Sequence, residues 1–391
     1  MGAFVKPMYK FTFAPPEKRF GDFTLFSKGD KYYCIFIEND KSTLPADDGF
    51  SVGNSLGLAC SKDGIQWTYE GTVIKPEEQW KNRSLWAPCL LENGDSLVLL
   101  YSAISKYDKN PLLTQSVGLA HCTNLLDWKD YCNNPVITPP MTSEYYRGSK
   151  TQRLCWRDPY LFRLEDTYYC LLACSDIKKP LERSGCVGLL SSNNLIDWQE
   201  QEPLFSPSQY WEIETPAIYN YDGKWILLYG NYTNGHKMRY ALSDSCFGPF
   251  HEPLQNTLAP SWCYCARIIN GNCYYWVRNP KLGKVSTVLA PPKLLTLDGT
   301  TLSLHKHPAG PTITPIGLLA NGFSYRTNTR KIDLLPTQTG LDLVDLPLKD
   351  GVNDLRTIAG EFSSSDQVSV ATFDGIVEIY VNERFVHSFF S

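Results

Sequence analysis

A chain of 391 residues with 43% hydrophobic content can form one large or two medium domains with ample core. Its net charge of −4 and pI of about 5.9 come without a basic stripe, which argues against nucleic acid as a partner. No apolar run approaches the roughly 18 residues of a membrane-spanning helix, and Met1–Pro7 contains no apolar stretch of signal-peptide type. Gly2 follows Met1, but Lys6 breaks the myristoylation pattern.

Taken in order, the chain carries a recurring unit. Gly57-Leu58-Ala59-Cys60-Ser61 leads through a polar turn to Trp67, Val117–His121 leads to Trp128, and Val187–Ser191 leads to Trp198. Arg239–Ser243 begins a fourth copy that ends in Phe250. Before each copy lies a hairpin pattern: Phe23–Phe26 with Tyr32–Ile37, Cys89–Leu91 with Leu97–Tyr101, Tyr160–Arg163 with Tyr168–Leu172, and Ala217–Tyr219 with Trp225–Tyr229. A fifth pairs Ala266–Ile269 with Cys273–Val277, and Ala290–Gly299 closes that unit. Five units of about four strands, without helical periodicity, predict an all-β chain built as a five-bladed β-propeller over residues 1–308. A β-sandwich would use similar hairpins, but the strand–turn–Trp recurrence favours blades, and Trp67, Trp128 and Trp198 are assigned to packing between them.

From about residue 309 the pattern changes. A Leu-rich stretch precedes an alternating run, Val368–Phe373 and Ile376–Val381, joined by Asp374-Gly375. Asp-Gly between alternating segments signals a tight hairpin. Residues 309–391 are therefore expected to form a small C-terminal β-sandwich.

The 13 cysteines are odd in number and scattered, several within strand-like runs. This predicts buried, reduced thiols and a cytoplasmic location. With six dispersed histidines and no paired Cys–His spacing, no zinc site is expected.

Candidate site residues come from the openings of the blade strands. Trp156-Arg157-Asp158-Pro159 places an Arg beside an Asp at a strand mouth, where Pro159 needs no ladder N–H and Arg157 keeps the carboxylate ionised. Asp22 opens unit one, and Glu214 opens unit four in Trp211-Glu212-Ile213-Glu214-Thr215-Pro216. The first strands of all blades surround one axis, so these carboxylates converge, and crowding must raise at least one pKa. A raised acid beside an ionised carboxylate is what glycoside cleavage requires. Glu212 competes with Glu214 for the acid role. Trp86, Trp211 and Trp262 fit either sugar stacking or blade packing; Tyr264 and Arg267, in Tyr264-Cys265-Ala266-Arg267, are further binding candidates.

The succession Asp22-Phe23, Trp156-Arg157-Asp158-Pro159, Glu212-Ile213-Glu214-Thr215-Pro216, Tyr264-Cys265-Ala266-Arg267 and Pro291-Pro292-Lys293-Leu294 resembles the fructan-cleaving glycoside hydrolases of family 32 along nearly the whole chain. The resemblance implies a propeller joined to a sandwich, with Asp22 as nucleophile, Asp158 as transition-state stabiliser and Glu214 as general acid/base. It implies a retaining double displacement on β-fructofuranosides such as sucrose or short fructans, with transfer to an acceptor hydroxyl possible in the same site, and no metal or cofactor. Two departures stand out. The Asn-Asp-Pro-Asn-Gly run of the family is reduced to Gly21-Asp22-Phe23-Thr24, and Tyr32–Ile37 lacks the family's glutamine. Trp86-Ala87-Pro88 is similar instead to family 43, whose members invert arabinosides and xylosides. A sugar-binding propeller without catalysis is the third reading.

Overall fold

The structure is a computed structural model describing residues 10–40, 52–106, 115–147, 155–231, 236–260, 263–278, 287–320, 322–327, 330–337, 340–347, 354–359 and 361–390. The readings that rest on Met1–Pro7 and Trp262 lie outside the described residues. The rest folds as a five-bladed propeller followed by a sandwich, both entirely of strands apart from one short 3-10 turn at Leu181–Arg183.

The first four blades are antiparallel meanders. Blade one runs β1 (Lys18–Lys28), β2 (Lys31–Asp40), β3 (Ser55–Ser61) and β4 (Trp67–Ile74). Blade two runs β5 (Ser84–Asn93), β6 (Ser96–Ile104), β7 (Ser116–Cys122) and β8 (Lys129–Asp130). Blade three is β9 (Trp156–Leu164), β10 (Thr167–Ser175), β11 (Gly185–Ser192) and β12 (Gln199–Glu200). Blade four holds three strands, β13 (Glu214–Tyr221), β14 (Lys224–Asn231) and β15 (Lys237–Ser243), with two isolated bridges, Arg239 to Thr257 and Leu242 to His251, where a fourth would stand. All five hairpins read from the sequence are present.

The recurring turn has a local cause. Asp63, Asn124 and Asn194 each accept two backbone N–H groups two and three residues on, through one side-chain oxygen. Such Asx turns fix the reversal. Trp128 and Trp198 then donate their indole N–H to the carbonyls of Leu125 and Leu195, at 2.9 and 3.0 Å, and pack between blades.

Blade five begins with β16 (Cys263–Ile269), β17 (Asn272–Arg278), β18 (Thr287–Leu289), β19 (Lys293–Asp298) and β20 (Thr301–Lys306). The ring closes through Phe13, which exchanges two backbone hydrogen bonds with Leu289 at 3.0 and 2.8 Å. The sandwich pairs one sheet of β22 (Phe323–Arg326), β23 (Arg330–Pro336), β24 (Gly340–Pro347) and β25 (Asp354–Ala359) with another of β21 (Thr314–Leu318), β26 (Gln367–Phe373), β27 (Ile376–Val381) and β28 (Arg384–Phe390). The second sheet is not separate. His305 of β20 pairs with Arg384 of β28, so blade five and this layer form one nine-stranded sheet. The Asp374-Gly375 hairpin forms as expected, with both residues at positive φ, 46° and 78°.

Candidate active site

Every innermost strand carries a register break at its axial end. The breaks lie between Phe20 and Phe23, Trp86 and Pro88, Arg157 and Tyr160, Glu214 and Ala217, and Tyr264 and Arg267. A bulge frees its residues from the ladder and re-aims their side chains. Three bulges also hold a non-glycine residue at positive φ: Asp158 at 59°, Thr215 at 46° and Cys265 at 52°. Asp158 is therefore inside β9, not at its mouth, and Pro159 and Pro216 are tolerated because the ladder bond is missing there.

The bulges bring the three expected carboxylates together. Asp158 and Asp22 each sense the charge of Glu214, and Asp158 senses Asp22. Trp276 of β17 donates its indole N–H to Asp22 Oδ1 at 2.8 Å. Asp158 Oδ2 accepts the Thr215 backbone N–H at 2.9 Å, while the Asp158 N–H donates to Ser102 Oγ at 3.1 Å. Tyr264 donates its hydroxyl to Glu214 Oε2 at 2.5 Å. That reach depends on Gly230 of β14, where a Cβ would collide with the Tyr264 phenol.

Arg157 does not serve Asp158 chiefly. Its Nη2 donates to Glu214 Oε1 at 2.6 Å and also to Glu212 Oε1, whereas Nε stands 3.7 Å from Asp158 Oδ2. The expectation that Arg157 keeps Asp158 ionised is corrected accordingly. Burial pushes Asp158 up to about 7, against the pull of Arg157 and with the help of Glu214 and Asp22. Burial also pushes Glu212 up to about 7. Asp22 rises for the same reason, its hydrogen bond from Trp276 opposing the shift. Glu214 goes the other way: burial would raise it, but Arg157 and the Tyr264 hydroxyl hold it below the usual range. The raised acid is thus not Glu214, because Glu214 receives the best donors.

Charge balance explains the pattern. Asp22, Asp158, Glu212 and Glu214 share the site with two guanidinium groups, Arg157 and Arg267. His236, packed edge-on against Tyr264 at 5.1 Å between ring centres, is pushed down to about 4 by burial and adds no charge at neutral pH. Four carboxyls, Asp22 half-buried and the other three buried, face two cations, an imbalance that favours a proton shared among them.

The other candidates are placed less centrally. Arg267 is buried, and its Nη1 donates to the carbonyls of Thr215 and Ala266 at 3.3 and 3.0 Å, which makes it a brace beneath the bulges. Trp86 is half-buried against the core between blades one and two. Trp211 is 41% exposed next to Glu212. The sequence reading missed Trp276, His236 and Ser102, which stand in no acidic motif; Pro88, Pro159 and Pro216 each fall at a bulge, where the sequence alone suggested only the opening of a strand.

The profile of the glycosyl hydrolases family 32 N-terminal domain matches residues 26–259, more than half of the chain. The chain belongs to that family. The matched segment contains Arg157, Asp158, Glu212 and Glu214 and begins just after Asp22. Among solved structures, a sucrose-6-phosphate hydrolase from Lactobacillus gasseri superposes with a TM-score of 0.71 at 18% identity, covering 94% of this chain and 84% of that one. A Bombyx mori β-fructofuranosidase gives 0.68 at 17%, covering 99% and 90%. A fructan 1-exohydrolase from Cichorium intybus gives 0.69 at 14%, covering 97% and 90%. At these identities the likeness is one of fold. An acid β-fructofuranosidase 1, vacuolar, from a Rosa hybrid cultivar is 33% identical over 124 residues, 30% of this chain and 19% of its own length. A bifunctional fructosyltransferase from Allium cepa is 25% identical over 122 residues, 30% of this chain and 18% of its own length. The chain thus matches about a fifth of the length of these curated relatives.

Proposed function

We propose that the propeller, residues 1–308, cleaves β-fructofuranosides such as sucrose or short fructans by a retaining double displacement, and that residues 309–391 form a supporting sandwich domain joined to blade five. The observation that carries this reading is the convergence of Asp22, Asp158 and Glu214 from bulges on three blades, with family membership setting the chemistry. Asp22 attacks the anomeric carbon as Glu214 gives a proton to the departing glycosidic oxygen. Water, its proton taken by Glu214, then displaces Asp22 and restores the site. An acceptor hydroxyl in place of water gives fructosyl transfer from the same intermediate. Asp158, fixed by Thr215 and Ser102, holds sugar hydroxyls and tightens as the ring flattens toward the oxocarbenium-like transition state. Trp211 offers its exposed face to a second sugar unit.

The test is turnover of sucrose, short fructans and aryl pentosides, with the anomeric configuration of the first product followed by NMR. Retained configuration on fructosides is the expected result. Inversion on pentosides would make Asp22 a base that activates water, and sugar binding without turnover would leave a binding propeller.

We also propose a reducing, cytoplasmic setting. All thirteen cysteines are free thiols, and all but Cys60 and Cys132 are buried. A thiol count on the denatured, unreduced protein tests it: thirteen free thiols are expected, and several disulfides would move the protein out of the cytosol.

A further inference from the structure

We propose that Glu212 is a positioning residue that shares a proton with Glu214 across the Arg157 guanidinium, so that the acid/base is recharged from a second carboxyl. This rests on the glycosidase reading above and asks how its acid becomes protonated. In the free site Glu214 is bonded by Arg157 and Tyr264, donors that favour its carboxylate. An ionised Glu214 cannot protonate a leaving oxygen.

Glu212 is the carboxyl placed to supply that proton. One nitrogen, Arg157 Nη2, donates to both Glu212 Oε1 and Glu214 Oε1, so the two groups meet on a single atom. Both are buried, 4% and 8% exposed. The segment carrying Glu212 is held in place from behind. Gly185 of β11 donates its N–H to the Tyr210 carbonyl at 2.9 Å, and a Cβ there would stand 2.7 Å from the Glu212 backbone nitrogen. The close approach of the two chains is thus built into β11. The charged and titratable groups facing the pair are Arg157 and Asp158 from β9, Cys155 just before it, Tyr264 from β16, Asp22 from β1 and His236. Of these Arg157 touches both carboxyls, and burial pushes Glu212 up to about 7.

The cycle balances. The proton of the Glu212 carboxyl passes to the Glu214 carboxylate, leaving Glu212 ionised on Arg157. Glu214 gives that proton to the glycosidic oxygen as the bond from the anomeric carbon to that oxygen breaks and the bond to Asp22 forms. In the second half Glu214 takes a proton from the attacking water, Asp22 departs as carboxylate, and the proton returns to Glu212.

The experiment compares two donors on the wild type and on Glu212→Gln. Sucrose needs a proton on its leaving oxygen; β-fructosyl fluoride does not. Glu212→Gln is expected to lower kcat on sucrose by roughly 10- to 100-fold, with the fluoride rate falling by much less. The alkaline limb of the sucrose profile should also move to lower pH. Glu212→Asp, which keeps a titratable carboxyl on the same segment, is expected to recover most of the sucrose-to-fluoride ratio. Equal losses on both donors, or an unshifted alkaline limb, would overturn the proposal and leave Glu212 as a structural ion-pair partner. Failure of the underlying reading looks different: Glu214→Gln would then turn over sucrose as the wild type does, whatever Glu212→Gln does.

Discussion

Two buried charge clusters in this chain are built on opposite principles. At the seam between propeller and sandwich, Lys293 of β19 meets Glu378 of β27 at 2.9 Å, both 1% exposed. The pair is matched one to one. Glu378 has a second donor in the Tyr380 hydroxyl, and the Lys293 ammonium lies over the rings of Tyr275 and Phe385. At the propeller axis four carboxyls share two guanidiniums. The matched pair is complete without a ligand. The axial cluster has more carboxyls than cations, and burial pushes Asp22, Asp158 and Glu212 upward. Burial serves geometry at the seam and pKa at the axis.

The largest expected effect breaks the axis alone. Asp22→Asn and Glu214→Gln should each lower turnover by roughly 10³-fold or more, with the melting temperature nearly unchanged. Activity equal to wild type in either variant would remove that residue from its role. At the seam the expectation reverses. Lys293→Met leaves Glu378 buried without its cation and should cost about 3–5 kcal/mol in denaturant unfolding, while kcat per folded molecule is kept. Replacing both partners by apolar residues should recover most of that stability.

Asp158→Asn should lower kcat by roughly 10²-fold with a smaller change in ground-state affinity. Small anions such as azide or formate should not rescue it, because no nucleophile is missing. It also sharpens the comparison through pH. Asp158 and Glu212 are raised to about 7, so the folded state binds their protons more tightly than the unfolded chain does. Their contribution to stability is full below the ordinary carboxylate range and is lost as pH rises through about 7. Wild type should therefore lose stability between acid and mildly alkaline pH, and Asp158→Asn should flatten that loss in melting curves. Activity should fall on the alkaline side as the cluster's last proton leaves. It should fall on the acid side as Asp22, itself raised, becomes protonated. The smallest effect is expected of Gly230→Ala, which displaces the Tyr264 phenol from Glu214. It should lower kcat by roughly 10-fold and leave KM nearly unchanged.

Most of the architecture was legible because it is periodic. The five hairpins, the Asx turns before Trp128 and Trp198 and the Asp374-Gly375 hairpin are local patterns with local causes. The fusion of blade five with the sandwich was not, because it rests on one pairing, His305 with Arg384, which no local pattern encodes. At the site, the convergence of Asp22, Asp158 and Glu214 followed from their places on the first strands of three blades, although Asp22 and Asp158 lie within β1 and β9 and not at their openings. Their protonation did not follow. It depends on Arg157 reaching past its neighbour Asp158 to Glu212 and Glu214, more than fifty residues away in sequence. Likewise, nothing around Trp276 marks it as the partner of Asp22, since its indole reaches the site through β16 and β18, which flank β17 and pack against β1.

The central claim is that Asp22 forms a covalent bond to the sugar while Glu214 works through protons. Intact-mass spectrometry of Glu214→Gln quenched during turnover of β-fructosyl fluoride tests it most directly. The fluoride needs no acid to leave, and loss of the base slows hydrolysis of the intermediate, so a hexosyl adduct should accumulate and map to the peptide carrying Asp22. Turnover of the fluoride with no adduct, or an adduct on any other residue, would contradict the account.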